Sequence, residues 1–251
     1  MNRLEIVACR SIRVYHLLFL LAFSFFFHPS CQDRLFDNPF DPKAGEIVFE
    51  VVSTILTPSY MPLGLAWDGS TLWNVDGYNN TLYSLNRLNG SQVRALTSPL
   101  PGTTGIAYDG QDLWVCSDSS VDVYKINLLN GEIQKRLSLQ RGSFTSLTYG
   151  LASLWIADFQ SNKILRVNPE TAEIISDFPN PGIRIDGLTF DGNYFWISDS
   201  STLTIYQLSI EGKVLRTFLS PGQSPRGLAF DGYYLWNVDG SGKIYQLRFK
   251  S

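Results

Sequence analysis

From about residue 46 onward, apolar and polar positions change over in runs of five or six residues. No stretch keeps a 3.6-residue period for three turns, so the pattern predicts strands rather than helices. The segment "GLAWDGSTLWNVDGYNNTLYSLNRLNG", residues 64–90, shows the grammar. A short apolar strand ("GLAW") is followed by Asp-Gly, and then by a second strand ("TLWNV") that is apolar at nearly every position. A third strand ("TLYSLN") alternates, as does "KILRVN" further on. A fourth, for example "GEIQKRLSL", is the most polar. Asp-Gly between apolar runs is a hairpin signal, because Gly accepts the positive φ such turns require. An all-apolar strand is one packed on both faces.

The unit recurs. Its opening position falls at Gly64, Gly105, Ser146, Gly187 and Gly227, at intervals of 41, 41, 41 and 40 residues. Trp73, Trp114, Trp155, Trp196 and Trp236 keep the same step. Asp-Gly closes the first strand in four units (Asp68-Gly69, Asp109-Gly110, Asp191-Gly192, Asp231-Gly232), and "YGL" stands in the third. Self-similarity near forty residues signals a propeller or a solenoid, and falling burial from first strand to fourth is the profile of blades radiating from an axis. The fifth unit ends at "KIYQLRFKS" without a fourth strand, whereas an orphan "GEIVFEVVSTILTP" precedes the first unit and matches "GKVLRTFLSP". The expectation is an all-β, five-bladed β-propeller of four-stranded antiparallel blades over residues 46–251. An N-terminal strand within residues 46–57 completes its last blade and leaves no open edge. The tryptophans are expected to fill the spaces between blades.

Loops joining the fourth strand to the next first strand, and the second to the third, share one face around the axis. The former carry Tyr60, Arg141, Arg184, Asp186 and Arg226. The latter carry a repeated acid: Asp76, Asp118, Asp158, Asp199 and Asp239. Four of these keep a W-x-x-D spacing, and in "WVCSD" the acid slips by one, with Ser117 in its place. Oxygen ligands in a ring would suit a hard cation such as calcium. The plainer expectation is that each Asp caps its own turn by accepting backbone N–H groups. Similarly, the arginines either neutralise these acids or form an anion-binding cluster. Arg184 and Asp186 in "GIRIDG" give that unit alone a charged approach to its first strand.

Residues 1–30 follow different rules. Arg3, Arg10 and Arg13 stand against one acid, Glu5, and precede the apolar run "LLFLLAFSFFF". A basic start, a short apolar core and a small residue before Cys31 predict an export signal, too short for a comfortable membrane span. The site resembles the lipobox of bacterial lipoproteins: Ser30 fits, His28 stands where an aliphatic residue is usual, and "CQDRLFDNPFDPKAG" resembles the polar tether behind such cysteines. The resemblance implies lipidation of Cys31, a tether through residue 45, and a membrane-anchored lipoprotein of a bacterial envelope, on the periplasmic or cell-surface side. Simple secretion and an uncleaved anchor are the alternatives.

Removing residues 1–30 lowers Lys plus Arg from 20 to 17 and Asp plus Glu from 23 to 22, and takes away both histidines, His16 and His28. With no basic run, nucleic acid is not an expected partner. Without His, Ser–His–Asp and Cys–His nucleophiles and His-rich zinc sites are excluded from the remaining chain. Only Cys31 and Cys116 are left, so no disulfide inside the domain is expected once Cys31 is lipidated. Cys116, in "LWVCS", reads as a buried, inert thiol.

The repeats resemble those of five-bladed glutamine cyclotransferase-type propellers and, more widely, NHL-like and streptogramin-lyase-like repeats. The cyclotransferase pattern places a functional Glu just after the second-strand aromatic, where this chain has Asn74 and Asn237. The lyase pattern uses a His that the mature domain lacks. The resemblance therefore implies the fold and neither activity. The expectation is a monomeric module without a cofactor, binding an envelope protein or small ligand at the loop face around the channel. The alternatives are a metal-dependent lactonase- or lyase-like enzyme using the loop carboxylates with calcium, and a purely structural subunit of an envelope complex.

Overall fold

The computed structural model describes residues 49–249. The export signal, Cys31 and the tether lie outside the described residues. Twenty strands form five four-stranded antiparallel sheets and, among the described residues, there is no helix. The first blade is β2 (Pro62–Trp67), β3 (Leu72–Asp76), β4 (Thr81–Leu85) and β5 (Gln92–Thr97). The second is β6 (Thr103–Tyr108), β7 (Leu113–Ser117), β8 (Asp122–Ile126) and β9 (Ile133–Ser138). The third is β10 (Phe144–Gly150), β11 (Ser153–Asp158), β12 (Lys163–Val167) and β13 (Ile174–Pro179). The fourth is β14 (Gly187–Phe190), β15 (Phe195–Asp199), β16 (Thr204–Leu208) and β17 (Val214–Leu219). The fifth joins β18 (Pro225–Phe230), β19 (Leu235–Asp239) and β20 (Lys243–Phe249) to β1 (Phe49–Leu56).

The ring closes as the orphan segment predicts. Strand β1 runs antiparallel to β20, from Phe49 opposite Phe249 to Leu56 opposite Lys243, with a bulge between Val51 and Ser53. Phe49 joins Trp196, Phe218 and Phe249 in an aromatic cluster, and Arg248 pairs with Glu50. Ile55 is the buried residue of β1. It keeps step with Leu96, Leu137, Phe178 and Phe218, the one residue that each other outer strand buries.

Burial peaks at the second strand, fully buried in every blade, and not at the first. The second strand feeds the apolar clusters on both faces of its blade, as Leu72 and Trp73 do in the first blade, whereas each first strand keeps a half-buried aromatic near its end: Trp67, Tyr108, Tyr149, Phe190 and Phe230. Five apolar clusters then tie neighbouring blades in a circle. Trp73 packs with Ile106 and Val115 of the second blade, Trp114 with Leu147 of the third, and Trp155 with Phe195 of the fourth. Trp196 reaches Leu228 of the fifth blade, and Trp236 returns to Leu65 and Leu72 of the first.

The repeated opening glycine marks where first strands crowd the axis. A Cβ on Gly64 would lie 2.9 Å from Ile106 N and from Thr104 O, which no real Cβ tolerates. Gly69 serves the turn instead, at φ 94°. In the third blade, Leu151 and Ala152 adopt φ 53° and 52° without a glycine.

Deleting residues 49–56 is expected to abolish cooperative unfolding. A strand burying a few hundred Å² at ~25 cal/mol per Å² contributes several kcal/mol, against a typical total margin of ~5–15 kcal/mol. A sharp melting transition from the deletion variant in calorimetry would refute the closure. Gly64→Ala is expected to cost ~1–3 kcal/mol by overpacking, read in urea unfolding.

Candidate functional site

The repeated acids are fixtures of the loop face. Asp76 Oδ1 accepts from the amides of Met61 (3.2 Å) and Tyr78 (3.0 Å), and Oδ2 from that of Tyr60 (3.1 Å). Asp158 accepts from Ser143 N and Gln160 N, Asp199 from Ile183 N and Ser201 N, and Asp239 from Ser224 N and Ser241 N. Each carboxylate thus sews its own turn to the preceding inter-blade loop, which is turn capping extended across the face. Burial pushes the Asp239 carboxyl up. Hydrogen bonds from the Ser241 side chain and amide and from Ser224 N, with the nearby charge of Lys243, outweigh it and leave it below its ordinary value. Among the described residues, no three of His, Cys, Asp or Glu come together to hold a metal.

In the second blade Ser117 takes over this task. Its hydroxyl donates to Pro101 O or Gly102 O (3.0 and 2.9 Å) and accepts from Ser119 N (3.2 Å). Asp118 is thereby released. It is exposed, its carboxylate has no partner among the described residues, and it lines a cavity of about 500 Å³ at the loop face. Tyr60, Met61 and Leu63 of the first blade, Arg184 of the fourth and Arg226 of the fifth line the same cavity.

Behind the arginines sits Asp186, only 6% exposed. Its Oδ1 accepts from Arg184 Nε at 3.0 Å and from Arg226 Nη1 at 2.8 Å, and its Oδ2 from Ser200 N at 3.0 Å. Arg184 also stacks over Phe159, 5.6 Å from the ring centroid. The backbone of Arg226 is fixed in turn: its carbonyl accepts from the Ser198 hydroxyl and from Asn237 Nδ2. Asn237 and Asn74 are fully buried, and each also holds the carbonyl of its own unit's opening glycine, Gly227 or Gly64. The residues aligned with the cyclotransferase Glu therefore brace strands and lie outside the cavity lining.

Of the expected loop-face residues, Tyr60, Asp118, Arg184 and Arg226 meet at the cavity, with Asp186 beneath. Asp76, Asp158, Asp199 and Asp239 serve the turns. Arg141 is exposed and outside the lining. Arg184 and Arg226 pair with Asp186 and not with the repeated acids. Cys116 is buried and free, its thiol pushed up to about 12 by burial.

At the opposite end of the blades the Asp-Gly acids have a second role that turn signals alone do not reveal. Asp68, Asp109, Asp191 and Asp231 accept the indole N–H of Trp73, Trp114, Trp196 and Trp236 at 2.7–2.9 Å. Where the third unit lacks the acid, the indole of Trp155 donates to Gly150 O instead (3.0 Å). The constant five-residue spacing from Asp to Trp was the available signal.

This architecture defines a five-bladed β-propeller. Among solved structures, the chain is similar to the glutaminyl cyclase of Myxococcus xanthus, with TM-score 0.72 and 13% identity over 81% of this chain and 97% of that one. It is also similar to an inactive virginiamycin B lyase from Staphylococcus aureus solved with quinupristin, at 21% identity and TM-score 0.49. There it covers 74% of this chain and 65% of that one. A streptogramin B lyase structure gives 16% identity and TM-score 0.49 over 77% of this chain and 95% of that one. No family model and no curated protein matches the chain in sequence. The resemblance to cyclotransferase-type propellers read from the repeats thus holds for the fold.

Acid is expected to expose the carboxylate bonds. Burial pushes Asp68 and Asp109 up. For Asp68, hydrogen bonds from Thr71, Trp73 and Ser70 outweigh it; for Asp109, those from Lys125, Asp112 N, Trp114 and Gln111 N do so. Both end below their ordinary value. A depressed folded-state value stabilises the fold above the unfolded value of ~3.9 and is lost as pH falls through the folded one. The melting temperature should hold down to about pH 5 and drop below about pH 4, with a shallower drop in the Asp68→Asn/Asp109→Asn double variant. An unchanged slope in that variant would disprove the assignment.

Proposed function

We propose that the chain is an exported, lipid-anchored binding module of a bacterial envelope, taking a ligand at the loop-face cavity. The observation that carries this reading is the Arg184–Asp186–Arg226 cluster: two guanidiniums held in place by a buried carboxylate beside a cavity of about 500 Å³. A volume within ~300–1,000 Å³ and a few convergent polar groups suit a small-molecule site. Charged groups fixed before binding lose little freedom on binding, which favours affinity.

The rival reading, an enzyme using loop carboxylates with calcium, needs free oxygen ligands. Four of the five repeated acids are engaged by backbone amides. No observation favours it over binding.

Ligand binding raises the melting temperature in proportion to ln(1 + [L]/Kd). The dialysable small-molecule fraction of a bacterial extract is expected to raise that of the wild-type chain by several degrees, and that of Arg184→Gln or Arg226→Gln by less. An equal response in wild type and both variants would overturn the site. For the anchor, Cys31→Ser should move the protein from the membrane to the soluble fraction. Membrane association unaltered by that substitution would end the lipoprotein reading.

A further inference from the structure

The cavity carries opposite charges on opposite walls. In a five-membered ring the second blade stands across the axis from the junction of the fourth and fifth. Asp118 belongs to the second blade, Arg184 and Arg226 to the fourth and fifth, and all three line the cavity. Two guanidiniums against the single carboxylate of Asp186 leave one positive charge on that wall, and each arginine spends only one N–H on the pair. A guanidinium has five such donors, so both retain N–H groups for an incoming anion. On the facing wall the Asp118 carboxylate pairs with no cation among the described residues. Tyr60, Met61 and Leu63 supply apolar surface at the cavity.

We propose that the ligand of this cavity is dipolar: a carboxylate held by Arg184 and Arg226, an ammonium held by Asp118, and an apolar middle against Tyr60 and Met61. This is the chemistry of a short peptide with free ends, or of an amino-acid-like molecule of equal span. The inference rests on the binding role given above and specifies its ligand. A purely anionic ligand would leave Asp118 unpaired and repelled. A purely cationic one would face the net positive arginine wall.

Molecular rulers test it. The full chain is titrated by calorimetry with 4-aminobutanoate, 6-aminohexanoate, 8-aminooctanoate and triglycine, and with hexanoate, hexylammonium and N-acetyl-6-aminohexanoate as singly charged controls. One length is expected to bind at least about tenfold more tightly than its controls. Asp118→Asn should erase that advantage, and Arg226→Gln should weaken every carboxylate. Arg184→Gln provides the same comparison if Arg226→Gln does not fold. Triglycine binding above the rulers would point to a peptide, and the reverse to an amino-acid-like molecule. Equal binding of rulers and controls, no binding by any probe, or an advantage that persists in Asp118→Asn would overturn the dipolar assignment. If extract-dependent, arginine-dependent stabilisation survives such a result, the binding role stands and only the ligand class falls.

Discussion

A β-sheet that is apolar on both faces needs a neighbour on each, and any open row of such sheets leaves two faces bare. Closing the row into a circle removes the problem, provided that the last sheet is whole. Here that condition falls on the pairing of β1 with β20. Without β1 the fifth blade would lose Ile55 from the cluster that joins it to the first, and Phe49 from the cluster that joins it to the fourth. Two of the five inter-blade cores therefore depend on a segment remote in sequence from the strand it completes. The five-part symmetry, the axis and the loop face all follow from this one closure.

Given the ring, the repeat settles into two sets of acids at opposite ends of the blades. At one end the Asp-Gly carboxylates hold the turns and the indoles of the buried tryptophans. At the other, the W-x-x-D carboxylates hold the inter-blade loops. Both uses place an ionised group among backbone and indole N–H donors, which compensate for the water it gives up. A carboxylate so engaged is part of the scaffold, and its recurrence in unit after unit is a sign of that.

The fold was legible because periodicity is itself a structural statement. The tryptophan step gave the blades, and the match of "GEIVFEVVSTILTP" to "GKVLRTFLSP" gave the closure. Strand burial departs from the expected steady fall: the second strands are buried throughout, while an aromatic near the end of each first strand stays half-buried. The site was legible in part. Arg184 with Asp186 stood out as a charged pair, but their union with Arg226, forty residues on, depends on the ring bringing first strands together. Asp118 was placed among the repeated acids, although its one-residue slip was visible. Only the geometry shows that Ser117 does the structural work and frees it. Arg141 belongs to the same class of inter-blade loop as Arg184 but stands five residues before its unit's opening position, where Arg184 stands three, and it lies outside the cavity lining.

The candidate functional groups in this ring are its departures from the period, and their cost shows how they are held. A buried carboxylate alone is strongly unfavourable; two guanidiniums and the amide of Ser200 make Asp186 tolerable. The dependence runs both ways. Asp186 keeps two like charges close together, which would otherwise repel, while Ser198 and Asn237 fix the Arg226 backbone from two different blades. Neither arginine is free to swing into solvent without leaving the other with Asp186 alone. The charged wall is held by these bonds before any ligand arrives, and under the proposed binding role that preorganisation would let a small cavity on a repetitive scaffold discriminate by charge and by length.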